Sequence, residues 1–271
     1  MSSRLHQVAV VNEGIAAEGG YRLPRSGEAV GIGVELAAAR AGTVSYAPEH
    51  RFAGEGRFTG VVEVTAEGSM AAAERLSVPG GAGPVAVLNF ASARNPGGGY
   101  LRGARAQEED LCRSALLYHC LLAAPDYYEA HRASTDLHYS HRVIWSPDVP
   151  VIRDAHGELR ADPYTVSFLT SPAPNAGQLA RRAEGGRVDV REVLVERARR
   201  VLGVAAAHGV RELVLGAWGC GVFGNDPAEV AEAFELALAT HGAPFTRVVF
   251  AVWDRTPVSA NRAAFEARFG A

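Results

Sequence analysis

The apolar positions of this 271-residue chain fall into two rhythms, and their alternation predicts an α/β protein. Short aliphatic runs at 61–65, 85–89, 213–216 and 247–253 read as strands, the 213–216 run as one buried on both faces. Between and after them the spacing turns helical, at 69–77, about 107–123, 188–208, 227–241 and 258–269. The longest of these carries Val190, Leu194, Ala198, Val201 and Ala205 on one stripe. A turn at Pro79-Gly80-Gly81 separates the first helix from the second strand. The middle, 125–186, is less regular, with strand candidates at 142–146 and 164–170 and a turn across 171–175, and is expected to decorate the sheet. Ahead of the core, 4–18 and 36–40 have helical spacing and 42–60 is punctuated by Gly and Pro. No internal repeat is present. The simplest organisation is one domain over 1–271, with 1–58 an accessory extension and 59–271 the core.

Two loops break this pattern in an informative way. Asn95-Pro96-Gly97-Gly98-Gly99 follows a strand, and Gln107-Glu108-Glu109 opens the next helix. Consecutive glycines let backbone amides approach an anion closely, and two carboxylates wait in the same loop-to-helix passage. That pairing suits cleavage of a phosphorylated sugar. Neither half is specific alone, because linkers also contain triglycine and acids ordinarily complement a helix N-terminus.

The second loop, Gly219-Cys220-Gly221-Val222-Phe223-Gly224, matches the dinucleotide fingerprint G-x-G-x-x-G, and Asp254 ends the next strand where a ribose-binding acid belongs. Against that reading, only 17 residues follow Asp254, and Asp226-Pro227 starts the helix after the third glycine. Both loops follow strands, so they can meet at the carboxyl ends of a sheet, where a pyrophosphate fits between them. For either loop alone, a plain tight turn is the competing account.

Composition narrows the partners. A hydrophobic content of 48% supports a sizeable core, while net charge −3 and the lack of any Lys/Arg block exclude a broad grip on nucleic acid or an anionic membrane. Any phosphate must be held locally. Cys112, Cys120 and Cys220 have neither metal-ligand nor redox-pair spacing, so no metal or other cofactor is expected. No apolar run spans a bilayer, and the N-terminus leads into an amphipathic stretch unlike a signal peptide. A cytoplasmic monomer without membrane contact is expected.

These residues resemble a known family, the bacterial-type poly(ADP-ribose) glycohydrolases, built on the macrodomain fold. That family's signature sets three glycines six to eight residues before Gln-Glu-Glu, and here the seven residues Tyr100 to Ala106 separate the two halves. The runs Ser146-Pro147-Asp148-Val149-Pro150, Ser171-Pro172-Ala173-Pro174-Asn175 and Gly216-Ala217-Trp218-Gly219-Cys220-Gly221-Val222-Phe223-Gly224-Asn225 are similar to others in the family. The likeness reaches from about Thr43 to the end. It implies an α/β fold with a macrodomain-like mixed sheet sandwiched between helices, after a mainly helical N-terminal extension. It also implies hydrolysis of ribose–ribose bonds in poly(ADP-ribose) to release ADP-ribose, and so a part in ADP-ribosylation reversal and the DNA damage response. Poly(ADP-ribose), ADP-ribose and ADP-ribosylated proteins would be partners.

By that resemblance Glu109 is the catalytic acid and Glu108 orients the scissile ribose, with Gln107 beside them. Asn95 holds the distal ribose, Phe223 packs on it, and Gly97, Gly98, Gly99 and the loop Gly219, Cys220, Gly221, Val222, Phe223, Gly224 line the diphosphate. Glu67, after the first core strand, is a candidate for the adenine amino group.

Hydrolysis of a glycosidic bond needs protonation of the leaving oxygen and delivery of water to an oxocarbenium-like carbon. Neighbours on a helix point about 100° apart, so Glu108 and Glu109 cannot flank the bond as a separated pair and must differ in role. A first-turn carboxylate is favoured in its charged form, so bound substrate is expected to raise the Glu109 pKa by desolvation and by its own negative charge. His119, Arg102, Arg105, Cys220 and Trp253 have better structural than catalytic accounts, and Tyr127 and Tyr128 are left unassigned. A macrodomain that binds ADP-ribose without cutting it is the alternative, and Gln107-Glu108-Glu109 argues against it.

Overall fold

In a computed structural model, residues 2–54, 56–77, 83–183, 189–256 and 258–270 are described. The elements run α1 (Ser2–Glu18), β1 (Gly20–Arg22), β2 (Ala29–Gly31), α2 (Gly33–Ala41), β3 (Val44–Tyr46), β4 (Val61–Thr65), α3 (Ser69–Leu76) and β5 (Val85–Phe90). Then come α4 (Gln107–Ser114), α5 (Leu117–Leu121), α6 (Pro125–Arg132), β6 (Val143–Arg153), β7 (Leu159–Ser171) and α7 (Ala176–Arg182). The chain closes with α8 (Arg191–Ala207), β8 (Glu212–Leu215), α9 (Pro227–His241), β9 (Arg247–Ala251) and α10 (Ala260–Phe269).

Seven strands form one mixed sheet in the order β3-β6-β7-β5-β8-β9-β4. From β7 to β4 all pairings are parallel, while β6 is antiparallel to both β7 and β3. Side chains alternate across the sheet with a period of two, as a pleated strand requires. Ala86, Leu88, Leu213, Leu215, Val248 and Phe250 join one core with α8, α9 and α10; Val85, Val87, Val214, Val249 and Ala251 join the other with α3 to α6. Helices therefore cover both faces, and because β7, β5 and β8 are parallel neighbours, the loops that follow them share one rim of the sheet.

Three expectations change. The helix anticipated over 107–123 is broken: α4 stops at Ser114, Ala115 turns extended (φ −119°, ψ 160°), and α5 restarts at Leu117. Ala115 forms an isolated bridge to Val151, so a tertiary pairing outweighs local helical spacing there. The middle segment does not decorate the sheet. Its strands extend to 11 and 13 residues and form the long β6–β7 hairpin, and α6, which periodicity did not separate from loop, packs Tyr127 and Tyr128 into the core. The N-terminal extension also joins the sheet, because β3 pairs with β6 at its edge. The turn expected at 79–81 and the first residue of the helix expected over 188–208 lie outside the described residues.

Among the described residues, no helix is long and apolar enough to cross a membrane.

Candidate active site

The loop after β5 is shaped by two successive glycines with left-handed backbone, Gly97 (φ 63°) and Gly98 (φ 58°). Side chains with a Cβ rarely adopt this conformation, and space forbids one as well. A Cβ on Gly98 would lie 2.5 Å from Glu109 Oε1 and 3.0 Å from Glu108 Oε2. The glycine run therefore lies directly against both carboxylates. Glu109 is 7% exposed; its Oε1 accepts from the Gly99 amide at 2.7 Å, while its Oε2 is buried with no partner.

Glu108, 3% exposed, sits deeper. Its Oε2 accepts from the Ser92 amide at 2.7 Å and its Oε1 from Asn89 Nδ2 at 3.3 Å. Burial pushes its carboxyl up to about 8, against the opposing pull of the Ser92 and Asn89 bonds, and Glu109 adds to the rise. Among the described residues neither glutamate forms an ion pair. Below pH 8 a proton on Glu108 is therefore favoured by the site itself. The usual carboxyl value applies in the unfolded chain, so the folded state binds more protons between about pH 4.5 and 8, and stability falls as pH rises through that window. Glu108→Gln removes this cost. Its amide nitrogen cannot accept one of the two bonds, a loss independent of pH, so relative to wild type the variant is expected to gain a few kcal/mol, at most about 5, between pH 4 and pH 8.5. Urea unfolding at the two pH values measures it.

Gln107 serves the scaffold. Its Oε1 accepts from the Phe90 amide at 2.9 Å, and its Nε2 donates to Leu88 O at 2.7 Å and Ser69 Oγ at 3.2 Å. It thus ties α4 to the end of β5 and to α3, which leaves both halves of its amide engaged. Asn95 is exposed, and its carbonyl accepts from the Gly98 amide.

The amides of the first loop are also engaged. Gly98 donates to Asn95 O and Gly99 to Glu109, whereas the sequence reading had them facing an anion. In the second loop Gly224 donates to Gly221 O and Asn225 to Gly219 O, with Gly219 (φ 73°) and Gly224 (φ 65°) left-handed. Among the described residues, the amides of Gly221, Val222 and Phe223 meet no protein acceptor. Three successive free amides on an exposed turn are available to an anion. Val222 projects outward, 92% exposed, and Phe223 lies 5.9 Å from the Tyr139 ring. The Cys220 thiol is pushed up to about 12, first by burial and then by Asp226 and Asp254, so it stays protonated and inert as a nucleophile.

The loops are joined through the end of β7. Ser171 O accepts both from the Ala91 amide at 3.3 Å and from Trp218 Nε1 at 3.0 Å. Buried Asn225 donates to Pro174 O at 2.8 Å and Gly219 O at 3.1 Å. Glu67, between the edge strand β4 and α3, pairs with Arg75 at 2.8 Å.

Sequence reasoning missed two residues that build this crevice. Asn89 reads as one more position of a buried strand, yet it touches Glu108 and Thr170. Arg197 lies on the apolar stripe of α8 and is fully buried, donating to Pro172 O at 2.7 Å, His138 O at 2.7 Å and Tyr139 O at 3.3 Å. An arginine inside a helical stripe was the available signal. Its guanidinium holds the turn after β7 and the left-handed Tyr139 (φ 59°) that meets Phe223. Arg197→Met leaves those carbonyls buried without a donor and is expected to cost about 3 kcal/mol, measured by chemical denaturation. His119 lies 3.3 Å from Glu13, Arg102 and Arg105 are exposed, and Trp253 is 60% exposed.

The microbial-type PARG catalytic-domain family matches residues 11–154. The crystal structure of poly(ADP-ribose) glycohydrolase from Thermomonospora curvata is 46% identical with a TM-score of 0.86, covering 98% of this chain and 100% of its own.

The chain belongs to the microbial-type poly(ADP-ribose) glycohydrolase family.

The same Thermomonospora enzyme bound to the inhibitor ADP-HPD is 47% identical with a TM-score of 0.86, over 98% of this chain and 100% of its own. The glycohydrolase from Deinococcus radiodurans in complex with ADP-ribose is 44% identical with a TM-score of 0.79, over 92% and 99%. No curated protein matches. Family membership makes the sheet with its two-sided helical cover the glycohydrolase fold, and the Gly97–Glu109 passage falls within the matched residues. Among the described residues, no group of His, Cys, Asp and Glu has the arrangement of a metal site.

Proposed function

We propose that this chain hydrolyses the ribose–ribose O-glycosidic bonds of poly(ADP-ribose), with Glu109 as acid and then base. One observation carries the reading: Glu109 Oε1 is fixed by the Gly99 amide while Oε2 is buried and unpartnered beside the left-handed glycines. A bond from Gly99 restrains the carboxyl without occupying its second oxygen. Oε2 is thereby the oxygen left to serve the bridging oxygen of a bound sugar.

As the C–O bond breaks, Oε2 gives its proton to the leaving hydroxyl, and positive charge develops at the anomeric carbon. The carboxylate so formed takes a proton from a water whose oxygen bonds to that carbon. The acid is regenerated, and one water is consumed per bond. Glu108 orients the ribose hydroxyls, and its raised affinity for a proton lets it donate as well as accept. The diphosphate falls to the free amides of Gly221, Val222 and Phe223, with Phe223 and Tyr139 walling the distal ribose and Asn95 at the rim. The relatives solved with ADP-ribose and ADP-HPD support this assignment of ligand. The same reading makes ADP-ribosylated proteins the partners and treats 1–271 as one catalytic unit with no cofactor.

Automodified polymer incubated with the protein, with products resolved by length, tests the proposal. Release of free ADP-ribose with shortening of the polymer is expected. Saturable binding of ADP-ribose with polymer length unchanged would instead favour a reader.

A further inference from the structure

We propose that the N-terminal helix α1 is part of the catalytic apparatus, with Asn12 as a positioning residue for the glutamates; this rests on the glycohydrolase reading above. α4 has only eight residues, and its end at Ser114 deprives the last carbonyls of helical partners. The Ala115 amide satisfies Leu111 O, which leaves the carbonyls after it. Asn12, from a helix 100 residues earlier, fills that place. Its Nδ2 donates to Arg113 O at 2.9 Å and to Cys112 O at 3.5 Å, and the side chain is wholly buried. Arg153 Nε donates to Asn12 Oδ1 at 2.9 Å, which fixes the amide so that its donors face α4.

The same helix holds the other partner of Glu109. The 3-10 turn Tyr100–Arg102 follows Gly99 directly, and His6 Nδ1 lies 2.7 Å from Leu101 O. Tyr100 Oη donates to Glu13 Oε1 at 3.3 Å and lies 3.5 Å from Ala9 O. Thus α1 binds both the loop that donates to Glu109 and the helix that carries it. If either tie is lost, the loop and helix shift independently, and the 2.7 Å contact between Gly99 and Glu109 is the first to loosen. Among the described residues, the loop Gly219–Gly224 exchanges no hydrogen bond with α1, so the proposed diphosphate site should be untouched.

Steady-state kinetics of Asn12→Ala and of His6→Ala, on the exposed face, test the inference at a temperature where near-UV dichroism shows both folded. For Asn12→Ala, kcat is expected to fall about tenfold, since small misplacements of a reacting group are costly. Its KM and the Kd for ADP-ribose should stay within twofold of wild type, and the alkaline limb of its pH–kcat profile, where the acid loses its proton, should shift. His6→Ala should lower kcat by about threefold in the same pattern. A structural role alone would lower Tm and leave kcat and its pH profile intact, and that outcome overturns the inference. If Asn12→Ala does not fold, His6→Ala decides by the same criterion. Wild type that releases no ADP-ribose overturns the underlying reading, and the inference with it.

Discussion

Glu109→Gln is expected to lower turnover about 1,000-fold while leaving the affinity for ADP-ribose within threefold of wild type. Glutamine has nearly the shape of glutamate. Its carbonyl accepts from the Gly99 amide as Oε1 does, so the loop and helix keep their registration. What is lost is the transferable proton, because the amide at the Oε2 position neither protonates a leaving oxygen nor accepts a proton from water. Binding survives because the free amides lie in the other loop. Single-turnover release of ADP-ribose from polymer, set beside calorimetric binding, separates the two effects. Turnover within tenfold of wild type would remove Glu109 from the reaction. Equal binding with wild-type polymer cleavage would have the same force, since among the described residues Glu109 Oε2 is the buried carboxyl oxygen without a partner.

Gly98→Ala is expected to lower turnover about 100-fold while the protein still folds. The left-handed backbone at φ 58° costs a non-glycine residue about 1 kcal/mol or more. The larger consequence is spatial. The added methyl would stand 2.5 Å from Glu109 Oε1 and 3.0 Å from Glu108 Oε2, so both carboxyl groups must turn aside. These are the ends of side chains, which accommodate the methyl more cheaply than backbone would, and for that reason the chemistry suffers more than the fold. Gly31→Ala provides the control, since an added Cβ there meets nothing within 4 Å. Turnover of both variants, with Tm from calorimetry, checks the expectation. Turnover of Gly98→Ala equal to that of the control would mean the carboxylates do not act where the structure places them.

Much of this was legible in the chain, and the reasons differ by element. β5, β8 and β9 are short, aliphatic and covered on both faces, so their runs stand out against helical neighbours. Asp226 accepts from the Ala228 amide with Pro227 in the first turn, as the residues at that helix start indicate, which removes the dinucleotide reading of the second loop. The β6–β7 hairpin was harder to see. Pro147 and Asp148 interrupt its first strand, and a register shift between Ser146 and Val149 absorbs them, while Pro150 keeps its place opposite Thr165. The break at Ala115 and the capture of β3 by the sheet depend on partners far along the chain, so no local window contains them.

The two glycine loops, the adjacent glutamates and the α/β order are properties of the sequence, because periodicity and backbone permissiveness are local. Which amides stay free, which glutamate is buried to the point of holding a proton, and what Asn12, Asn89 and Arg197 touch were decided only in three dimensions. Each depends on desolvation or on a hydrogen bond between segments remote in the chain. The strength of both is set by what surrounds a group and not by the residues beside it in sequence.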